Sequence, residues 1–173
     1  MSVLQRLILR DLFVNVLGAS LLMPRHLRWL LLRLYGAKIG RSSVGPRCFF
    51  GGPRITIGSG AFINVGVFFD GSDTITVGDK VHIGMEALIL TSAHDVGPES
   101  RRAGEQASAP VVIEDGCWIG ARAILMPGVT IGRGTIVAAG SVVTQSCEPN
   151  AAYAGVPARK IRSLEPDQTQ PAP

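Results

Sequence analysis

Charge and aromatic residues are both scarce in this chain: Lys, Arg, Asp and Glu make up 17% of its 173 residues, and Phe, Trp and Tyr 6%. So few rings argue against a large mixed core. The net charge is only +4. Basic residues cluster modestly at Arg25, Arg28, Arg33 and at Arg159, Lys160, Arg162, without interleaved aromatics, which argues against nucleic-acid binding. The cysteines, Cys48, Cys117 and Cys147, are odd in number and fit no disulfide or metal-ligand spacing, so reduced structural thiols are expected. The longest apolar stretch, Leu12 to Met23, contains Asn15 and Ser20 and is too short to span a bilayer. No small-residue cleavage site follows it, so no secretory signal is expected. There is no Gly-x-Ser-x-Gly, no Cys paired with a nearby His, and no Walker-type phosphate loop.

Small aliphatics and glycine are plentiful, with 46% hydrophobic residues and 21 Gly. Ile113, Ile119, Leu125, Ile131, Val137 and Val143 recur at every sixth position, with Gly after Ile119 and Ile131. Val77-Gly78, Ile83-Gly84 and Ile89 lie in phase with them, and Ile39-Gly40, Ile57-Gly58, Ile63 and Phe69 form a block offset by two. A period of six fits neither a helix nor a lone strand. It fits a coiled β-structure in which each six-residue unit is one flat side and three sides close a turn. The aliphatics then stack inward as a column, each worth about 1.5–3 kcal/mol of burial. Small residues two places earlier (Ala87, Ala123, Val129, Thr135, Ser141) also face inward. Gly at the corner is expected to supply backbone angles that a Cβ would penalise.

Three segments fall outside the repeat. Residues 1–36 show helical spacing, with Val3, Leu4, Leu7, Ile8, Leu12 and Phe13 before Pro24 and Leu27, Leu30, Leu31 and Leu34 after it. Two short helices follow, either capping the coil and packing on a neighbour, or lying on a membrane with Arg6, Arg10, Arg25, Arg28 and Arg33 toward anionic headgroups. The coil occupies 37–148, interrupted at 95–110 by a polar excursion loop. Ile89 to Ile113 is 24 residues, or four units, so the excursion preserves the phase. Asp70-Gly-Ser-Asp73 adds two residues at a corner. Residues 149–173 form a C-terminal segment whose end, from 163, reads as a disordered tail. Many apolar residues with little charge to cover them imply self-association.

His94 stands where the coil gives way to the excursion, and imidazole is suited to take a proton from a hydroxyl near neutral pH. His82 occupies an outward surface place. Trp118, also outward, suits a subunit contact or a ligand groove. The Arg159, Lys160, Arg162 cluster beside Gly155-Val-Pro157 suits either a solvated turn or a phosphorylated ligand.

The run Ile113-Glu-Asp-Gly-Cys-Trp-Ile-Gly-Ala-Arg-Ala-Ile-Leu-Met-Pro-Gly-Val-Thr-Ile-Gly, with Val137-Ala-Ala-Gly-Ser-Val-Val-Thr144, Asn150 and Ala154-Gly-Val-Pro-Ala-Arg159, resembles the hexapeptide-repeat acyltransferases. The resemblance is strongest to the maltose, galactoside and nodulation-factor acetyltransferases and the exopolysaccharide O-acetyltransferases. It implies an all-β fold, a left-handed parallel β-helix with N-terminal α-helices and one excursion loop. It implies a homotrimer with sites between subunits, acetyl-CoA as co-substrate and no metal. His94 matches the family's catalytic base, Asn64 an acceptor contact and Trp118 a groove aromatic. Ala121, Ala139 and Thr144 match the pantetheine path, and Arg159 and Arg162 the cations near the CoA phosphates. Ser72 stands where the sugar enzymes carry an acidic acceptor-binding residue, with Asp70 and Asp73 nearby, and Gln145 where a basic one is common.

The function expected is acetyl transfer to a sugar hydroxyl in surface-polysaccharide or lipid-linked oligosaccharide synthesis, in the cytoplasm or at the inner membrane face. Amine acetylation of an amino sugar and a non-catalytic trimeric scaffold are the alternatives. A zinc hydrase resembling the γ-class carbonic anhydrases needs three His on the coil, where this chain has His82 and His94.

Overall fold

The computed structural model describes residues 8–165. Val3, Leu4, Arg6, Leu7 and most of the tail lie outside the described residues. Two helices come first: α1, Leu9–Gly18, wound with π-type hydrogen bonds, and α2, Arg25–Tyr35. The second ends at Gly36, whose φ of +113° turns the chain out of the helix into the coil.

The coil is a triangular prism of three parallel sheets. Face A holds β1 (Lys38–Ile39), β4 (Ile55–Ile57), β7 (Ile75–Val77), β12 (Val111–Ile113) and β15 (Thr130–Ile131). Face B holds β2 (Ser43–Val44), β5 (Phe62–Ile63), β8 (His82–Ile83), β13 (Trp118–Ile119), β16 (Ile136–Val137), β18 (Ala151–Gly155) and β19 (Ala158–Ser163). Face C holds β3 (Phe49–Phe50), β6 (Phe68–Phe69), β9 (Leu88–Ile89), β14 (Ile124–Leu125) and β17 (Val142–Val143). The chain visits A, B and C in turn as a left-handed parallel β-helix, against the usual right-handed crossover. Ile119 pairs with Ile83 below and Val137 above, and all three are fully buried, so the period-six residues do form the column. Ala87, Ala123, Val129, Thr135 and Ser141 are buried beside it. On face C, Phe50 stacks on Phe69 inside and Phe49 on Phe68 outside, with centroids 5.0 and 4.6 Å apart.

The glycines after the column residues have a different cause from the one expected. Gly84 and Gly132 are not among the residues with positive φ. A Cβ at Gly84 would stand 2.5 Å from the Ala121 nitrogen, and one at Gly132 2.6 Å from the Pro149 nitrogen. Successive corners stack too closely for a side chain, and that excludes alternatives to glycine there.

Asp70 to Asp73 does hold the two extra residues: Ile57 pairs with Val77 across 20 positions, where Ile113 pairs with Ile131 across 18. The excursion is not an irregular loop over 95–110. It is an antiparallel ribbon of β10 (Ser92–Val96) and β11 (Ala103–Ser108), so it begins earlier and carries His94 within a strand. The order also extends beyond Thr144. Cys147 bridges to Ile131, β18 pairs with β16, and β19 folds back on β18. Ser163 ends β19 and Leu164 bonds the Asn150 carbonyl at 2.7 Å, so the tail is ordered past its expected start.

Arg28 overturns part of the membrane expectation. It is 3% exposed, and its guanidinium donates to the carbonyls of Gly18 (2.8 Å), Val44 (3.0 Å) and Ser20 (2.6 Å). It clamps the inter-helix turn to the first coil instead of facing headgroups. Arg10 is likewise engaged, with Asp11 at 2.7 Å and the Gly51 carbonyl at 3.2 Å. The three cysteines are free and buried, as expected.

Candidate active site

Chain order defines three edges on the prism: A–B, B–C and C–A. Asn64, Ala121 and Ala139 each follow a face-B strand, so they share the B–C edge. Stacking across that edge is tight: the Gly140 N–H donates to the Ala121 carbonyl at 2.8 Å. The Asn64 side-chain oxygen turns back onto the Val65 N–H at 2.8 Å. Trp118 lies on face B in register between His82 and Ile136, with 42% of its surface exposed. Arg159 and Arg162 are on β19 at the C-terminal end of the same sheet. The Arg159 guanidinium donates to the Ala158 carbonyl at 2.9 Å, and Arg162 is exposed.

His94 and Thr144 follow face-C strands and sit on the C–A edge, opposite face B. The fold therefore splits the expected residues into two sets. Asn64, Trp118, Ala121, Ala139, Arg159 and Arg162 lie along face B and its B–C edge, while His94 and Thr144 leave from the far side of the prism.

The ribbon fixes the imidazole. His94 Nδ1 lies 3.1 Å from the Gly104 carbonyl oxygen. A carbonyl only accepts, so Nδ1 carries the proton and, in the neutral ring, Nε2 offers its lone pair to the outside. The register slips between His94 and Val96, so the regular ladder breaks beside the ring. His94 is exposed. Asp95 is exposed too, and no described contact joins it to the ring.

Asp70, beside Ser72 at the lengthened corner, holds the root of that ribbon. Its carboxylate accepts from the Ser92 N–H (2.7 Å), the Thr91 N–H (3.0 Å), the Thr91 hydroxyl (3.1 Å) and the Ser72 hydroxyl (3.0 Å). Burial pushes its pKa up, but the bonds from Ser92, Thr91 and Ser72 outweigh that and leave it below the ordinary carboxylate range. The Asp73 N–H bonds the Thr91 hydroxyl at 3.0 Å, and the Ser108 hydroxyl reaches the Asp73 carboxylate at 3.4 Å. Both legs of the ribbon are thus tied to one corner. The extra length at this corner was the available signal.

Among the described residues no three of His, Cys, Asp and Glu come together as a metal site. The thiols are pushed up to about 11 by burial and do not supply thiolate.

Residues 110–145 match the family model described as bacterial transferase hexapeptide (six repeats). The chain is 36% identical over 136 residues to the galactoside O-acetyltransferase of Escherichia coli K12, covering 78% of itself and 67% of that protein. It is 35% identical over 139 residues to the putative colanic acid biosynthesis acetyltransferase WcaF of the same strain, covering 78% and 75%. The crystal structure of the hexapeptide-repeat acetyltransferase VCA0836 of Vibrio cholerae in complex with acetyl-CoA superposes with a TM-score of 0.77 at 40% identity, covering 93% of this chain and 86% of that one. The chain spans 58% of the length of the Schizosaccharomyces pombe putative acetyltransferase C18B11.09c, which is also 36% identical. The fold and these matches place the chain among the hexapeptide-repeat acetyltransferases, and it belongs to that family.

Proposed function

We propose that this chain is an acetyl-CoA-dependent O-acetyltransferase acting on a sugar hydroxyl in surface-polysaccharide or lipid-linked oligosaccharide synthesis, working as a homotrimer in the cytoplasm. The observation that carries the chemistry is the His94 ring, held through Nδ1 by the Gly104 carbonyl with Nε2 left free. The acceptor hydroxyl gives its proton to Nε2 as its oxygen attacks the thioester carbonyl. The tetrahedral intermediate collapses, the C–S bond breaks, and the imidazolium returns the proton to the departing thiolate. A backbone N–H facing the developing oxyanion completes the site.

The split of residues between two edges supports a ring of copies. His94 and Thr144 on one prism's C–A edge meet Trp118, Asn64, Ala121 and Ala139 on the next prism's face B and B–C edge. Such a head-to-tail contact closes into a ring when the rotation fits. Ala121 and Ala139 then leave room for the pantetheine arm, and Arg159 and Arg162 lie near the CoA phosphates. The galactoside and colanic acid relatives support a sugar as acceptor. His94→Ala should lower turnover by roughly 10²–10⁴-fold while acetyl-CoA binding persists. Unchanged turnover with a working acceptor would refute the assignment, and absence of CoA binding would favour a scaffold.

A second reading concerns the helices. Leu12, Val16, Leu21, Leu22, Leu30 and Leu34 are exposed, with Leu22 93% open, although no helix among the described residues is long and apolar enough to cross a membrane. We propose that this apolar face rests on the inner membrane surface, with the exposed Arg33 at its margin. Flotation with anionic vesicles, lost on removing residues 1–35, is the expected result. Equal partition without lipid would assign the face to a neighbouring protein surface.

A further inference from the structure

Face B carries cations at both ends, and only those at the C-terminal end are taken up by the reading above, on which the following rests. At the other end a cleft of about 770 Å³ opens over β2, β5 and β8, lined by Arg25, Trp29, Arg41, Ser43, Phe62 and His82. That volume is in the range of small-molecule sites. The Arg25 guanidinium stands over the Phe62 ring at 5.6 Å, and Phe62 stacks on His82 with centroids 5.7 Å apart. His82 pairs in register with Trp118, so the cleft ends one strand from the exposed indole at the centre of the sheet.

The lining contains two guanidiniums and no carboxylate. Among the described residues no ion pair engages Arg25 or Arg41, whereas Arg54, Arg122 and Arg133 each have an acidic partner. Arginines left without a carboxylate around an aromatic floor are matched to a planar or tetrahedral oxyanion on a ligand that also presents an apolar ring face. The level along the coil also fits. The His94 ribbon leaves between the coils of β8 and β13. The donor's phosphates are assigned to β19, on one side of that level. The cleft lies on the other side, one to three strands from Trp118, at about 4.8 Å per strand.

We infer that this cleft seats the acceptor and selects a sugar bearing an anion, a phosphate or a uronic carboxylate, held by Arg25 and Arg41 beside Phe62 and His82. The neutral galactoside is then the poorer acceptor, and a phosphorylated or uronic sugar the better one. Lipid-diphosphate sugars share this chemistry with soluble sugar phosphates.

Equilibrium binding by calorimetry, with CoA present, tests the idea apart from catalysis. The probes are galactose, galactose 1-phosphate, galacturonate, a short-chain prenyl-diphosphate sugar and inorganic phosphate. The anionic sugars should bind at least tenfold more tightly than galactose, since each charge-assisted contact is worth roughly tenfold in affinity. In Arg25→Ala/Arg41→Ala that preference should collapse toward unity, and in Arg25→Lys/Arg41→Lys it should partly return. Tighter binding of the prenyl-diphosphate sugar than of galactose 1-phosphate would identify the lipid-linked source; parity would identify the soluble one. Equal binding of galactose and its anionic analogues by the wild type would overturn the inference, as would inorganic phosphate matching the sugar phosphate. Either result leaves acetyl transfer to neutral sugars intact, because that is read separately by thiol release from acetyl-CoA. No thiol release with any of the sugars, despite sugar binding, would sink the proposed transferase and not the cleft.

Discussion

Two inactive variants of this chain should restore each other when mixed. His94→Ala removes the base from the C–A edge. Ala139→Trp fills the B–C edge, where Ala139 is exposed and a larger side chain leaves the column untouched. His94 is also exposed, so neither change should unfold the coil. Alone, each variant should keep no more than about one hundredth of wild-type turnover. Each crevice draws its imidazole from one chain and its pantetheine wall from the next. In a ring assembled at random from equal parts, the base-bearing chain is intact in half the crevices, and the facing wall in half. About a quarter of the crevices then hold both, so the mixture should recover roughly a quarter of the wild-type rate. The assay is thiol release from the unfractionated mixture after joint refolding, with two affinity tags to verify that mixed rings form. A mixture no more active than its parents, with mixed rings verified, would show that base and wall come from the same chain and would refute the edge argument.

Asp70→Ala leaves the buried Thr91 and the Ser92 N–H without their acceptor, a loss on the order of 3 kcal/mol for bonds to a charged group. Hydrogen exchange over 92–108 should speed up, and kcat should fall with the KM for acetyl-CoA held. Because the folded Asp70 carboxyl lies below its ordinary value, its contribution to stability is present above the unfolded pKa of about 3.9 and is lost as pH falls through the folded one. Asp70→Asn should therefore show a shallower loss of stability between pH 5 and the acid limit, read from denaturant midpoints. The three thiols, each pushed up to about 11, should resist iodoacetamide at pH 8 in the native protein and all react in denaturant, as counted by mass.

The coil was legible because its cause is local and repeated. Ile113 to Val143 at every sixth place leaves one solution for burying a column, and the pairs Ile83, Ile119, Val137 realise it. Features that depend on distant partners were less legible. The Gly84 requirement comes from the Ala121 backbone one coil above, not from its own dihedral angles. Arg28 has the helical spacing of a surface cation, yet three carbonyls brought together by the turn and the first coil bury it. The ribbon strand Ala103–Ser108 lacks apolar alternation, because it pairs through backbone alone and covers no core.

The site residues follow the same division. None of them belongs to the column. Asn64, Ala121, Ala139 and Thr144 stand at corners, and His94 stands where the period fails. A uniform coil presents the same three faces to every level, so it cannot by itself place an acid–base group at one height. The Asp70 corner breaks that symmetry: two added residues turn a carboxylate onto Thr91 and Ser92 one coil further on, where the chain leaves the prism as a ribbon. The column residues on either side stay in phase, so stability and chemistry are carried by different positions. Changes along the ribbon and in the cleft of Arg25, Phe62 and His82 can retune the acceptor without disturbing the core. Changes to the aliphatic column act on stability alone.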